Sequence, residues 1–212
     1  MNEERLFRER ERLFYMRVYE RRYEDEYSLI CGVDEAGRGP LAGPVCAGAC
    51  ILKKDEEILF LNDSKKLSEK RREALFLEIK EKAVAWNIAF SDEKRIDEIN
   101  ILNATYEAMK KAIEGLSVPP SLLLVDAVHI PDVLIKQVSI VKGDAASVSI
   151  AAASVLAKVS RDHFMKEMDE KYPEYGFAKH KGYGTKAHYE ALKKYGPSPI
   201  HRMTFLKNLS EH

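Results

Sequence analysis

Asp34 and Glu35 stand side by side where an apolar run beginning at Ile30 gives out, and a glycine-rich turn follows at once. Asp126 closes the run Leu122-Leu-Leu-Val, and Asp144 follows a second run that ends at Val141. If these runs are strands of one sheet, their four carboxylates converge on one rim, where loops meet over a rigid base. Carboxylates held close together repel, and one or more pKa values rise unless cations neutralise them. Ligands that are all oxygen select Mg²⁺ or Mn²⁺ over zinc. A pair of such ions about 4 Å apart can generate hydroxide and stabilise the leaving oxygen of an in-line displacement at phosphorus. Each Asp taken singly is an ordinary residue of a turn after a strand. Their conjunction with the glycine turn carries the metal-dependent reading.

That turn, Gly37-Arg38-Gly39, puts backbone N–H groups and one guanidinium beside the acids. Glycines let a ligand approach the backbone unobstructed. The segment ends without Lys-Ser/Thr and is therefore no nucleotide-binding P-loop. Farther along, Tyr183 lies between glycines in His-Lys-Gly-Tyr-Gly-Thr-Lys-Ala-His (180–188). A ring there can stack on a sugar or base while lysines hold phosphates. Lys65 is a second phosphate candidate, and Lys66 reads as solvated. His180 and His188 lack cysteine partners and read as polar surface or phosphate-facing groups.

Several elements must position these residues. Residues 1–27 hold seven Arg against eight Asp/Glu, with Leu6, Phe7, Leu13 and Phe14 at a seven-residue repeat. They predict an exposed amphipathic helix docked lightly on the body. Strands are expected over 28–35 and 45–52, separated by turn chemistry. Ser68 is the expected N-cap of a helix reaching about residue 85. A strand over 85–90 comes next, then a helical stretch from Ser91 or Asp92 to Glu114. Strands over 122–125 and 137–141 precede an Ala/Ser-rich helix over 145–171, whose small side chains allow close approach to a sheet. Asp162 tempts as a fifth ligand. In a continuous helix it lies about 27 Å along the axis from Asp144, so it reads as a structural ion-pair residue. The pattern predicts a mixed α/β sheet with helices on its faces.

Composition narrows the partners. The chain has 212 residues, room for one well-buried core and a small appendage. With 34 basic and 34 acidic residues the overall field is neutral, so a polyanion must be met by a local patch. Residues 158–207 provide one, with eleven Lys/Arg against six Asp/Glu. Cys31, Cys46 and Cys50 lie in apolar surroundings without C-x-x-C spacing, and read as buried free thiols. No signal peptide or membrane-spanning run is visible. A soluble cytoplasmic protein is expected.

The motifs also resemble a family as an ordered set. Asp-Glu-Ala-Gly-Arg-Gly-Pro (34–40), Asp-Ser-Lys-Lys-Leu-Ser (63–68), Leu-Val-Asp-Ala (124–127), Lys-Gly-Asp (142–144) and Ile-Ala-Ala-Ala-Ser-Val-Leu-Ala-Lys-Val-Ser-Arg-Asp (150–162) follow the order of ribonuclease HII. The resemblance spans residues 30–207. It implies a ribonuclease H-like mixed β-sheet flanked by helices, with a small C-terminal helical and loop appendage. The corresponding boundaries are an N-terminal extension over 1–27, a catalytic core over 28–172 and a substrate-binding appendage over 173–212. It implies Asp34, Glu35, Asp126 and Asp144 as catalytic metal ligands for Mn²⁺ or Mg²⁺. Gly37, Arg38 and Gly39 would contact the ribonucleotide 2′-OH, the group that separates RNA from DNA. Tyr183 would stack on the following sugar. The implied activity is hydrolysis of RNA in RNA–DNA hybrids and nicking 5′ of single ribonucleotides in duplex DNA, leaving 3′-OH and 5′-phosphate ends. The expected partner is nucleic acid, with no membrane, and the chain is expected to act as a monomer. Ribonuclease HIII resembles the same core, but its N-terminal platform exceeds 27 residues and its fourth acid is typically Glu. A silent binding module would have lost an acid, and none is lost.

Overall fold

The computed structural model describes residues 3–207, so the outermost residues of the expected N-terminal extension and C-terminal appendage lie outside the described chain. Helices α1 (Glu3–Met16) and α2 (Val18–Tyr23) precede a hairpin of β1 (Ile30–Ala36) and β2 (Val45–Ile51). Then come α3 (Glu69–Lys82), β3 (Ala85–Ser91), α4 (Glu93–Glu114), β4 (Leu122–Asp126) and β5 (Lys136–Ile140). The chain continues through α5 (Gly143–Ala146), α6 (Val148–Lys171), α7 (Phe177–His180) and α8 (Lys186–Tyr195). The strands form one sheet in the order β3-β2-β1-β4-β5. β1, β2 and β3 run antiparallel, whereas β4 and β5 lie parallel to β1. This is the mixed α/β sheet expected from the pattern.

Caps fix the helix starts. The Ser68 hydroxyl accepts the Arg71 N–H, and the Asp92 carboxylate accepts the Arg95 N–H. Each satisfies an otherwise orphaned amide, which is worth about 1 kcal/mol. One sheet face packs on α4 through Ile96, Ala104, Ala108 and Met109. The other packs on α6, and glycines set its closeness. A Cβ on Gly32 would fall 2.0 Å from the Ser149 carbonyl carbon, and one on Gly48 would fall 2.4 Å from the Ala153 oxygen. The Ala-rich stretch of α6 thus lies against bare backbone of β1 and β2.

Three local expectations give way. The helix expected over 145–171 is broken at Ser147, whose extended backbone (φ −133°, ψ 130°) separates α5 from α6. Ser147 caps α6 by accepting the Ile150 N–H at 3.2 Å. α4 is interrupted at Asn100 (φ 67°), whose side chain accepts the N–H groups of Leu102 and Asn103 and restarts the helix. The N-terminal helices dock more deeply than an amphipathic surface helix would. Leu13 and Met16 enter the α6-side core, and Glu20 is buried, accepting from the Ser147 hydroxyl and the Ser149 N–H. An exposed-looking Glu becomes a cap for another helix, which no local pattern discloses.

Candidate active site

Strand register brings the acids together. Val33 of β1 pairs with Val125 of β4, so Asp34 and Asp126 follow side by side at the C-terminal ends of parallel strands. Ile30 packs with Ile150, and Gly32 abuts Ser149, so alternation turns Asp34 toward α6 as well. Glu35 follows on the opposite face of the pleat, close to the turn. Asp126 accepts the Gly143 N–H at 2.6 Å. Just before it Lys142 adopts a left-handed conformation (φ 57°), which bends the chain so that Asp144 enters on α5. Asp144 therefore begins a short helix instead of ending a strand.

The electrostatics are those of crowded acids. Burial pushes the Asp34 carboxyl well above its usual range, and the charges of Glu35 and Asp126 add to it. Hydrogen bonds from Ser154 and the Glu35 N–H oppose the rise. Burial also raises Glu35, against the pull of Arg38, whose guanidinium lies 3.4 Å from the carboxylate. Asp144 is raised to about 6 by burial and by the charges of Asp63 and Asp126, and it hydrogen-bonds the Asp63 side chain. Burial alone would lower the Lys65 ammonium, but Asp34, Asp144, Asp63 and Glu35 together raise it.

Among the described residues no three His, Cys, Asp or Glu side chains are gathered closely enough to cage an ion as they stand. Three of the acids lean on donors instead: Asp34 on Ser154 and the Glu35 amide, Asp126 on the Gly143 amide, Glu35 on Arg38. The donor set is entirely oxygen, and three of its four acids are held above their ordinary pKa. A hard divalent cation fits such a set and removes its electrostatic cost.

A cleft of about 270 Å³ runs from Glu35 past the 37–39 turn to Tyr183. Its lining joins Glu35, Gly37, Arg38, Gly39, Lys65 and Tyr183, six of the residues singled out from sequence, with Lys158 and Arg161 added. Tyr183 is 45% exposed, and a Cβ on Gly39 would lie 3.8 Å from its ring. The ring thus lies close beside the turn, and both line the cleft.

Supporting residues escaped sequence reasoning. Ser64 and Ser154 share a hydrogen bond at 2.8 Å, which ties the turn bearing Lys65 to α6 next to Asp34. Asp162 pairs with Lys158 at 2.6 Å and Arg72 at 3.7 Å. Arg72 in turn donates to the carbonyls of Ser64 and Leu67. These pairs are those expected of a structural ion-pair residue, although the continuous helix invoked for Asp162 is broken at Ser147. His188 was expected as a polar surface or phosphate-facing group, yet it is fully buried and hydrogen-bonded to His201 at 2.9 Å. Burial lowers both imidazoles to about 4, so both are neutral at physiological pH. The signal that could have found them is their setting among the appendage aromatics Tyr175 and Phe177, which stack on each other and pack against these rings.

The model of the family described as Ribonuclease HII matches residues 31–208. Ribonuclease HII of Lachnoclostridium phytofermentans is 60% identical over 207 residues, covering 98% of this chain and 81% of that protein. The crystal structure of ribonuclease H2 from Pyrococcus horikoshii OT3 is similar at TM-score 0.72 and 28% identity, covering 86% of this chain and 97% of that one. The ribonuclease HII in a PCNA complex from Archaeoglobus fulgidus is similar at TM-score 0.68 and 26% identity, over 85% of this chain and 96% of that one.

Proposed function

The chain belongs to the ribonuclease HII family, enzymes that cut the RNA of RNA–DNA hybrids, and on that premise we propose that it also nicks duplex DNA on the 5′ side of single embedded ribonucleotides. The observation that carries this reading is the cleft itself. It joins Glu35, at one edge of the acid cluster, to the glycine turn and to an aromatic ring beside that turn.

Asp34, Glu35, Asp126 and Asp144 would hold Mn²⁺ or Mg²⁺. When bound, such ions supply an activated water and stabilise the leaving oxygen. Gly37, Arg38 and Gly39 hold the ribonucleotide by its 2′-OH. Tyr183 stacks on the next sugar, where an extra hydroxyl would crowd the ring. Lys65 meets the phosphate backbone beside the acids, its raised pKa keeping it charged. The products carry 3′-OH and 5′-phosphate ends. The core is residues 28–172, with 1–27 as an extension and 173–212 as the substrate-binding appendage. The chain acts as a monomer on cytoplasmic nucleic acid. No described helix is long and apolar enough to cross a membrane.

The test compares metal-dependent cleavage of a duplex containing one ribonucleotide with cleavage of a long hybrid. Tyr183→Ala should lower turnover on the first more than on the second. Equal losses would make Tyr183 a general binding residue, and no loss on either would remove it from the site.

A further inference from the structure

Arg161 and Arg202 are among the most deeply buried large side chains of the described chain, at 1% and 0% exposure, and neither forms an ion pair with a carboxylate. A buried charge is costly unless its donors are satisfied. Here backbone carbonyls satisfy them, five from residues 37–44 and one from Lys181, two residues before Tyr183. Arg202 donates to Gly37 O at 2.6 Å, Arg38 O at 2.8 Å and Gly43 O at 2.8 Å. Arg161 donates to Pro44 O, Ala42 O and Lys181 O at 2.9, 3.0 and 3.0 Å. Drawing the carbonyls of Gly37 and Arg38 inward leaves the turn's outer face to its N–H groups. Gly37 (φ +94°) packs so tightly on Arg161 that an added Cβ would lie 2.0 Å from Nε.

The residue before Arg202 acts on the Tyr183 backbone. The Ser198 N–H donates to His201 Nδ1 at 2.8 Å, so His201 carries its proton on Nε2. That N–H donates to His188 Nε2 at 2.9 Å, which leaves the His188 proton on Nδ1 to reach Tyr183 O at 2.9 Å. The chain of donors runs one way and fixes both tautomers. Backbone bonds interleave the same pieces: Leu41 N–H to Gly182 O, Arg202 N–H to Leu41 O, and Gly43 N–H to Ile200 O. Two adjacent residues thus brace the turn and the Tyr183 backbone against one another, one by guanidinium, the other by imidazole through His188.

We infer that His201 (through His188) and Arg202 are positioning residues that set the spacing between the Gly37–Gly39 turn and the Tyr183 ring, and thereby the preference for a ribonucleotide followed by a deoxyribonucleotide. The inference rests on the functional reading above. A substrate that engages turn and ring at once is sensitive to their spacing, whereas a long hybrid offers many registers in which the turn alone can engage.

The experiment uses the full-length enzyme with Mn²⁺ and measures kcat and KM on a single-ribonucleotide duplex and on a long hybrid, with Tm for each variant. In Arg202→Lys one ammonium replaces a fork that spans three carbonyls. In His188→Leu the donor to Tyr183 O is lost, and His188→Asn restores a donor near the Nδ1 position. Arg202→Lys and His188→Leu should lose on the order of 100-fold in kcat/KM on the single-ribonucleotide duplex, the scale of a misplacement of about 1 Å. Losses on the hybrid should be several-fold smaller, and His188→Asn should recover the preference. Equal losses on both substrates, or a lowered Tm with the preference intact, would overturn the positioning role. Should Arg202→Lys fail to fold, the His188 pair decides by the same criteria. A wild-type enzyme without junction preference would overturn the functional reading, and the spacing argument with it.

Discussion

At the scale of single residues, the acids should separate function from stability. Asp34 is buried among like charges that raise its pKa, so its ionised form is a cost to the metal-free fold. Asp34→Asn keeps an oxygen to accept the Glu35 N–H while removing the charge. It should reduce turnover by at least about a thousandfold, as removal of a group essential to such chemistry does. The metal-free Tm should stay equal or rise, and calorimetry with chelator checks this. Asp162→Asn should behave in the opposite way. It leaves Lys158 and Arg72 partly buried beside a neutral amide, which costs about 3 kcal/mol when a buried pair is broken. Its Tm should fall while turnover persists at permissive temperature. A variant inactive yet fully stable would make Asp162 a working member of the site.

At the scale of elements, the tautomer-fixed histidine pair makes the appendage sensitive to acid. In the folded chain His188 and His201 take up protons only near pH 4, against an ordinary 6.5, because burial disfavours the charged ring. Their stabilising effect is therefore complete above 6.5 and lost as pH falls through 4. A second proton would also set N–H against N–H between the rings. Hydrogen exchange across residues 181–201, corrected for intrinsic rates, should accelerate over that interval before the sheet amides do. A second element-level expectation concerns α2. Glu20 receives the Ser147 hydroxyl and the Ser149 N–H, and Ser147 lies three residues after Asp144. Glu20→Ala should cost about 1–2 kcal/mol, the scale of a lost N-cap. It should also loosen the break between α5 and α6, seen as a higher Mn²⁺ concentration for half-maximal activity. An unchanged metal titration would confine Glu20 to stability.

At the scale of the whole molecule, truncation of residues 1–24 should lower Tm beyond the Glu20→Ala value, because Leu13 and Met16 leave the core as well. Turnover at saturating metal should survive, since the extension supplies none of the cleft lining. Complete loss in a soluble, folded truncate would show that the extension acts in the chemistry. What the sequence by itself determined was the strand ends and their acids, the Ser68 and Asp92 caps, and the sheet class. These rest on local patterns: apolar runs closed by carboxylates, and hydroxyl or carboxylate side chains at helix starts. The ordered motifs pointed to the family as well. The breaks at Asn100 and Ser147 were hidden because each depends on a side chain choosing a backbone partner that helical periodicity does not encode. Register made Asp34 and Asp126 neighbours, since Val33 meets Val125 only once β4 has crossed back parallel to β1. Only the tertiary structure decided that Glu20 caps a helix 127 positions away and that Arg202 folds the turn at Gly37 from 165 positions away. The physical reason is that a buried charge must find its donors or acceptors wherever the packed chain presents them, and that choice is made in space.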